Sequence, residues 1–341
     1  MNRRPTIKDI ATLTGVHHST VSLALRNHPS IPEATRARIR AAAQKIGYRP
    51  DPMLASLMSY RRSQQPSQRR PVVAWVTNFP TRARWRQTRV FLDCYNAAVT
   101  RADQLGFRIE EFWLREGGMS SHRARQILAT RNISALLLAP QPQPGMKLEL
   151  DWPAYSAVTL GYTLIEPRLH LVSNHQFVSM ILLFQKLQEL GYRRIGLALP
   201  LDMDLRVHHG WLGGFLAEQV SQPRTQRIQP WIFQDYSRNA LAVWLKRARP
   251  EVVITPTERI WDDVAALGYR VPADLGLAHP SVTAPDGGRS GIDENAREIG
   301  TAAMDLLASL WQHNDRGIPA EPRRLLIEGR WLPGATVRAP T

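Results

Sequence analysis

Residues 6–26 read TIKDIATLTGVHHSTVSLALR, and this stretch is the most informative one in the 341-residue chain. Apolar side chains recur at helical spacing from Ile7 to Ala11, the sequence Thr14-Gly15-Val16 interrupts that period, and the period resumes at Val21. Two short helices joined by a tight turn are therefore predicted, which is the pattern of a helix-turn-helix. An ordinary helical hairpin of an all-α domain is the alternative that the pattern alone leaves open.

The first of these helices is predicted to begin at a capping box. Thr6 precedes Asp9 at the spacing that lets a hydroxyl and a carboxylate satisfy the unpaired N–H groups of a first turn. The second helix is predicted to present short side chains that can reach a DNA groove, namely His18, Ser19, Ser22 and Leu23.

Positive charge is concentrated at the same end of the chain. The net charge is +15, and residues 1–70 hold thirteen lysines and arginines against three acidic residues. A surface that neutralises DNA phosphates needs such a concentration. A solvated basic face without a partner is the alternative, and the neighbouring turn motif disfavours it.

A third helix is predicted from about Pro32 to Ile46, with Gly47 at its end. Together the three helices make an all-α DNA-binding domain of residues 1–50. Residues 51–70 are predicted to form a hinge helix and linker, because PMLASLMSY can make two helical turns before the composition shifts to Arg, Ser, Gln and Pro.

From Pro71 onward, short apolar runs alternate with helical stretches, which indicates a parallel sheet with helices on both faces. The remaining chain is too long for one small doubly wound sheet, so an α/β core of two similar lobes is predicted over residues 71–341. Lobe 1 is expected at about 71–165 and 292–320, and lobe 2 at about 166–291 and 321–341. The segment RRLLIEGRWL is expected to be one strand that returns across the hinge between them.

These motifs carry a resemblance to a known family. The run TIKDIATLTGV…STVSLAL…TRARIRAAAQKIGYRPDP, followed by a hinge segment and an α/β core, resembles the bacterial lactose-repressor (LacI/GalR) family of transcription regulators. The match is specific over residues 6–60 and rests on element order and short stretches such as LQELGYRRIGLAL in the core. The resemblance implies a homodimeric repressor on a palindromic double-stranded DNA operator. It also implies a core like the periplasmic sugar-binding proteins, with a small-molecule effector between the lobes.

The resemblance further implies which residues meet DNA. His18, Ser19 and Leu23 correspond to base-reading positions, and Leu57 corresponds to a hinge leucine that wedges into the minor groove. Leu23 replaces an arginine common in the family, so the usual guanine-dependent half-site is not expected. Packing within the hinge is the alternative role of Leu57. The complete predicted DNA-binding set is Thr6, His17, His18, Ser19, Thr20, Ser22, Leu23, Arg26, Asn27, Thr35, Tyr48 and Leu57, of which Thr6, Ser22, Thr35 and Tyr48 correspond to phosphate contacts.

The predicted effector cleft departs from the family pattern. Val207 stands where an arginine is usual, Thr257-Glu258 replaces an Asn-Asp pair, and Ser281 replaces an aspartate. Because those polar groups hold sugar hydroxyls in the family, a common sugar is disfavoured as the effector. Strand-end position predicts that the cleft is lined by Asn78, Phe79, Gln141, Arg206, His209, Thr257 and Trp261. Each of these residues can instead have a structural role.

The sequence contains no motif of an enzyme. GWLGG and PDGGRSG lack the spacing of a phosphate-binding loop, no G-x-S-x-G elbow occurs, and the single cysteine, Cys94, has no histidine near it in sequence. The adjacent pairs His17-His18 and His208-His209 would point apart on a helix, so neither pair alone makes a metal site. We therefore expect no enzyme activity, no cofactor and no metal.

The expected location is the cytoplasm, in association with the nucleoid and without a membrane partner. No apolar run approaches the ~20 residues that span a bilayer, and MNRRPTIKD contains no apolar signal segment. A periplasmic solute-binding protein would explain the core but not the basic head. An architectural DNA-binding protein, or an effector-independent regulator whose core serves only dimerisation, would explain the head, and both stay open at this point.

Overall fold

A computed structural model describes residues 5–25, 30–48, 70–283 and 288–338. The hinge helix and linker predicted for residues 51–70 therefore lie outside the described residues, apart from Arg70. The first two ranges form the N-terminal head, and the other two form the core.

The head contains the three predicted helices, α1 (Ile7–Thr14), α2 (His18–Leu25) and α3 (Glu33–Lys45). Its small core is apolar, and Ile10, Val21 and Ile39 are completely buried in it. The helix-turn-helix prediction is confirmed, and the predicted bounds of the third helix differ from the observed ones by one residue at each end.

Helix α1 begins as the sequence predicted. The Asp9 carboxylate accepts hydrogen bonds from the backbone N–H of Thr6 at 2.6 Å and from the Thr6 hydroxyl at 2.7 Å. The helix ends where Gly15 takes a left-handed backbone conformation, with φ at +66°. A residue with a Cβ is strained there, which explains a glycine in the turn of the helix-turn-helix.

Strands and helices alternate along the core, as predicted for a parallel α/β fold. The strands are β1 (Val72–Thr77), β2 (Arg108–Trp113), β3 (Ala135–Leu138), β4 (Met146–Lys147), β5 (Ser156–Leu160), β6 (Leu164–Glu166), β7 (His170–Asn174), β8 (Ile195–Pro200), β9 (Trp231–Phe233), β10 (Val252–Ile254), β11 (Gly276–Val282), β12 (Ser290–Asp293), β13 (Arg324–Ile327) and β14 (Arg330–Leu332). The helices are α4 (Arg89–Gln104), α5 (Ser121–Thr130), α6 (Gln176–Glu189), α7 (Leu201–Arg206), α8 (Gly210–Val220), α9 (Arg238–Ala248), α10 (Glu258–Ala266) and α11 (Ala296–Gln312). None of these helices, nor those of the head, is both long and apolar enough to cross a bilayer.

Within the described chain, lobe 1 has a six-stranded parallel sheet in the order β13–β7–β5–β3–β1–β2. The central strand β1 reads VVAWVT and is buried along its whole length, as expected for a strand covered on both faces. Helices α4 and α11 cover one face, where Cys94 and Met304 are buried. Helix α5 covers the other face through Leu128.

Lobe 2 has a second six-stranded sheet among the described residues, in the order β14–β12–β11–β10–β8–β9. Its pairs are parallel except β12 with β14, which run antiparallel. Helices α6 and α8 pack on one face, and α9 and α10 pack on the other. The predicted class, a helical head followed by two doubly wound parallel-sheet lobes, is confirmed.

The predicted lobe boundaries need a correction. Strands β7 and β13 pair with each other in the sheet of lobe 1, although they fall in segments that we assigned to lobe 2. The segment RRLLIEGRWL is two strands, because β13 pairs in lobe 1 and β14 pairs in lobe 2. In the part of the chain that the structure describes, the polypeptide therefore crosses from one lobe to the other three times. The crossings occur after β7, after β12 and between β13 and β14.

Two adjacent glycines on α8, Gly213 and Gly214, differ in how closely they approach α6. A Cβ on Gly214 would lie 2.5 Å from the carbonyl oxygen of Phe177 and 2.9 Å from the Cβ of Met180. A Cβ on Gly213 would lie 3.4 Å from the nearest atom, which belongs to the Phe177 ring. The close approach of the two helices therefore depends on Gly214 and not on Gly213.

The substitution Gly214→Ala tests this packing. We expect it to lower the free energy of unfolding of the core by about 1–3 kcal/mol, because the backbone of α6 must shift to accept the methyl group. Gly213→Ala is the matched control, since it brings the same gain in helix propensity but only an ordinary contact. Urea unfolding gives both values, and equal midpoints for the two variants would contradict the packing.

The substitution Asp9→Ala tests the start of α1. It removes both hydrogen bonds from Thr6, so we expect a loss of about 1 kcal/mol in the local stability of the head. Thr12→Ala is the control, because the exposed Thr12 hydroxyl bonds only to the Lys8 carbonyl of the same helix. Hydrogen exchange of peptides from α1 measures the effect. Equal exchange in both variants would show that the carboxylate does not hold the helix end.

Candidate DNA-binding surface and interlobe cleft

The start of α2 forms the exposed surface of the helix-turn-helix. His17, His18 and Ser19 are exposed there, and the two imidazole rings lie 4.0 Å apart between centroids. The Nδ1 atom of His17 lies 2.8 Å from the Ser19 hydroxyl oxygen. Polar donors and acceptors thus stand together at the helix N-terminus, the part of a recognition helix that contacts base edges.

Farther along α2 the predicted DNA-binding residues are only partly exposed. Thr20 and Ser22 are half-buried. Leu23 is also half-buried and packs against the apolar core of the head, so it is not the free outer-face side chain that we expected. The reason is the small size of the head, in which an apolar residue next to the core gains more by packing than by full exposure.

The other predicted DNA contacts flank α2. Thr6, Thr35 and Tyr48 are half-buried, and the hydroxyl of Thr6 is already bonded to Asp9. Arg26, Asn27 and Leu57 lie outside the described residues. The DNA-binding role of the whole set stays a prediction.

A cavity of about 800 Å³ lies between the lobes, at the carboxyl ends of the parallel strands. Lobe 1 contributes Phe79, Phe91 and Tyr162 to its wall, whereas lobe 2 contributes Arg206 and Trp211. Its position agrees with the rule that ligands of open α/β sheets bind beyond the carboxyl ends of the strands. Its size suits a small molecule.

Of the residues predicted to line this cleft, Phe79 and Arg206 do so. Asn78 instead accepts a hydrogen bond from the Nε of Arg115 at 3.2 Å, and His209 lies 2.7 Å from the buried carboxylate of Asp204. These side chains are at strand or helix ends, as expected, but partners within their own lobe turn them away from the cavity.

Three further predicted residues also lie off the cavity wall. Gln141 is fully buried and donates its amide to the Ala139 carbonyl at 2.8 Å. Thr257 precedes α10 without lining the cavity, and the Trp261 ring is covered by the guanidinium of Arg289 at 4.8 Å. Strand-end position alone therefore identified the right edge of the sheets but only two of the seven side chains that were predicted to line the cavity.

Arg206 connects the two lobes. Its guanidinium donates to the carbonyl oxygens of Pro142 at 2.9 Å and Gln141 at 3.0 Å, and it lies 5.9 Å from the centroid of the Phe91 ring. Burial lowers the pKa of Arg206, since desolvation penalises the charged form. A second contact across the cleft is the stack of Tyr162 on His208, with centroids 5.5 Å apart and planes 11° apart.

Glu294 is a cleft residue that sequence reasoning missed. Its buried carboxyl lines the cavity and accepts hydrogen bonds from the Gln176 amide at 3.4 Å and from the Ser281 side chain. Burial, with a smaller contribution from Asp293, raises the pKa of this carboxyl. The sequence contains a signal for it, because Glu294 directly follows β12 and thus occupies a strand end, as Asn78 does after β1.

The polypeptide crossings lie at the floor of the same cavity. The side-chain amide of Asn174, at the end of β7, donates to the carbonyl of Glu294 at 3.2 Å and to that of Ile327 at 3.0 Å. Ser179 joins the network, since its hydroxyl bonds to Asn174 at 2.9 Å and accepts from the Gly329 N–H at 3.3 Å. A ligand at the floor of the cavity would touch the segments about which the lobes can move.

The fold and these surfaces define a class of protein, a helix-turn-helix head joined to a two-lobed α/β core. Residues 6–51 match the family described as bacterial regulatory proteins, lacI family. The probable transcriptional repressor ExuR of Bacillus subtilis is 48% identical over 52 residues, which is 15% of this chain and 16% of that relative. The transcriptional regulator CelR of Thermobifida fusca is 24% identical over 356 residues, with 96% of each chain covered.

Solved structures agree in fold over the full length. The lac repressor dimer bound to operator and the anti-inducer ONPF superposes with a TM-score of 0.55 at 18% identity and covers 99% of this chain and 100% of its own. The CelR–cellobiose complex gives 0.53 at 20% identity, with 98% and 100% covered. The head is therefore similar to the lacI family of bacterial regulatory proteins, in line with the resemblance, and the chain is similar to a transcriptional regulator over 96% of its length.

The pair Glu294→Gln and Asp293→Asn tests the electrostatics of the cleft floor. A carboxyl whose pKa is raised by folding opposes folding once the pH exceeds its unfolded value, because the folded chain must keep a proton or bury a charge. We therefore expect Glu294→Gln to stabilise the core at neutral pH, with the gain vanishing as the pH falls below the ordinary glutamate pKa.

Asp293→Asn is the matched contrast on the neighbouring residue. Asp293 is ion-paired with Arg330 at 2.7 Å and accepts from the Asn295 N–H, so its neutralisation should destabilise the core at neutral pH. Thermal unfolding across a pH series measures both variants. A destabilised Glu294→Gln protein at neutral pH would contradict the raised pKa.

Proposed function

We propose that this protein is a sequence-specific transcription regulator, a repressor that binds a palindromic DNA operator as a homodimer and responds to a small-molecule effector in the interlobe cleft. The observation that carries the proposal is the exposed start of α2, where His17, His18 and Ser19 stand on a helix-turn-helix in the most basic part of the chain.

The head supplies the two contributions that operator binding needs. Its lysines and arginines neutralise phosphates and give affinity for any DNA. The imidazole and hydroxyl groups at the start of α2 add hydrogen bonds to base edges in the major groove, which give sequence preference. The part of Leu23 that stays exposed adds an apolar surface next to them, suited to a thymine methyl group rather than to guanine.

A dimer follows from the symmetry of such sites. One head of this size reads only a few base pairs, and paired heads on a palindrome multiply the sequence information. In this proposal Leu57 of each hinge wedges into the minor groove between the half-sites and bends the operator. The lac repressor structure holds a dimer on its operator, which supports this arrangement for a chain of the same fold.

The core responds to the effector by a change in the tilt of its lobes. The cavity is lined from both lobes and has the polypeptide crossings at its floor, so a ligand that binds one tilt better than another shifts the population. That shift reaches the heads through the hinge segments that join each head to its core.

A neutral sugar is a poor candidate for this effector, although the CelR structure contains cellobiose. Thr257 and Glu258, at the position of the family's Asn-Asp pair, are not among the residues that line the cavity, and Glu258 is paired with Arg289. The groups that would hold sugar hydroxyls are therefore absent from this part of the described wall or already occupied.

Selection of binding sites from random duplex DNA tests the proposed operator readout. We expect the full-length protein to enrich a palindrome with two half-sites, and we expect Ser19→Ala to relax the base preference at one position of each half-site. The loss at that position should be small, about 0.5–1.5 kcal/mol, because a single hydroxyl can bond to more than one base edge.

Thr12→Ala is the control for this experiment, because Thr12 is exposed on α1 and should leave the selected sequence unchanged. Enrichment of no palindrome by the wild-type protein would contradict the proposed function. It would favour an architectural DNA-binding role instead.

A further inference from the structure

The mouth of the interlobe cavity is rich in arginine. Arg84 and Arg89 line it from lobe 1, and Arg206 lines it from lobe 2. The acidic residues that line the same cavity are Asp202 and Glu294. The positive groups come from both lobes, so any anion bound among them would be shared between the lobes.

Helix α4 begins at this mouth. Its cap residue, Thr88, makes no side-chain capping bond, and its first turn contains no acidic residue. The N-terminus of a helix of 16 residues carries a partial positive charge and N–H groups that suit an anion. The Arg206 guanidinium lies over the ring of Phe91, a side chain of this first turn, at 5.9 Å from the ring centroid.

An independent observation inside the cavity also indicates a missing acceptor. The indole N–H of Trp211 has no hydrogen-bond partner among the described residues, although Trp211 is only 4% exposed and lines the cavity. A buried donor without a partner destabilises the folded protein, and an acceptor on a ligand would remove that cost.

The carboxylates near the mouth offset only part of this positive charge. Asp93 forms an ion pair with Arg89 at 3.1 Å, and Asp202 lies one turn before Arg206 on α7. Glu294 is held by Gln176 and Ser281 instead of a cation, and burial favours its uncharged form. Arg84 and Arg206 make their hydrogen bonds to neutral groups, the Gln87 side chain and two carbonyls, although the nearby Asp202 carboxylate offsets part of the Arg206 charge.

We propose that the effector is a small acid, whose carboxylate or phosphate binds between the first turn of α4 and the guanidinium of Arg206. The proposal rests on the effector cleft of the proposed function and names the chemistry of its ligand. Arg84 adds a second guanidinium at the mouth, and Trp211 donates its indole N–H to the same molecule.

The bound acid would act as a bridge. Its anionic group meets α4 of lobe 1 and Arg206 of lobe 2 at once, so it favours the tilt in which those two elements are close. A neutral molecule of the same shape lacks this shared contact and should not discriminate between tilts.

Calorimetric titration of the full-length protein tests the subsite directly. The probes are inorganic phosphate and acetate, with acetamide as the neutral isostere of acetate, all at constant ionic strength. We expect at least one anion to bind and acetamide not to bind. We expect Arg206→Gln to lower the affinity for that anion by about tenfold or more, because charge-assisted hydrogen bonds are lost. The tighter anion identifies the acid as a phosphate or a carboxylate.

Arg38→Gln is the matched control, since Arg38 is an exposed arginine of the head and reports anion binding to the basic DNA-binding surface. If Arg206→Gln does not fold, Arg84→Gln replaces it, because Arg84 is exposed and the same loss of affinity is expected there. The proposal would be overturned if the anions bound no more tightly than acetamide. It would also be overturned if loss of Arg206 or Arg84 left the anion affinity unchanged while Arg38→Gln lowered it.

Operator binding is measured separately on the wild-type protein. Anion binding at Arg206 without sequence-specific DNA binding would leave the subsite standing and remove the proposed function. Operator binding without anion binding would support the proposed function and contradict the anion site.

Discussion

One buried side-chain amide connects the polypeptide crossings between the two lobes. Asn174, 1% exposed, ends the last strand before the first crossing, and its side chain holds the backbone of Glu294 in the second crossing and of Ile327 at the third. Through these two hydrogen bonds, one side chain on the first crossing is connected to the backbone of the other two crossings. Removal of the amide would leave two backbone carbonyls with one partner fewer in a buried place.

The contact between Asn174 and Glu294 also connects the movement of the lobes to ligand binding. Glu294 offers its carbonyl to Asn174 and its carboxyl to the cavity, so a molecule in the cleft and the crossings share a residue. Away from this floor, the lobes touch through Arg206 and through the Tyr162–His208 stack. Each hydrogen bond to a charged group contributes about 1.5–3 kcal/mol. A ligand that binds one lobe arrangement more tightly than another can supply a free-energy difference of the same size.

Local features of this protein could be read from its sequence, and long-range ones could not. The head follows from helical periodicity, from Thr6 with Asp9 and from Gly15, all of which act within a few residues. The split of RRLLIEGRWL between two sheets has no local signal, because Gly329 is needed only where Ile292 and Ser179 approach it in space. Much of the cavity wall was also beyond local reasoning, since a residue such as Asn78 is held by a partner far along the chain, Arg115.

The most direct test of a regulator with a DNA-reading head is its specificity ratio. The measurement is the dissociation constant of the full-length protein for the selected palindrome and for a scrambled duplex of equal length and composition, at physiological salt. We expect the scrambled duplex to bind more weakly by roughly a thousandfold or more, as for sequence-specific regulators. A ratio near one would contradict operator recognition and would leave only binding to the DNA backbone.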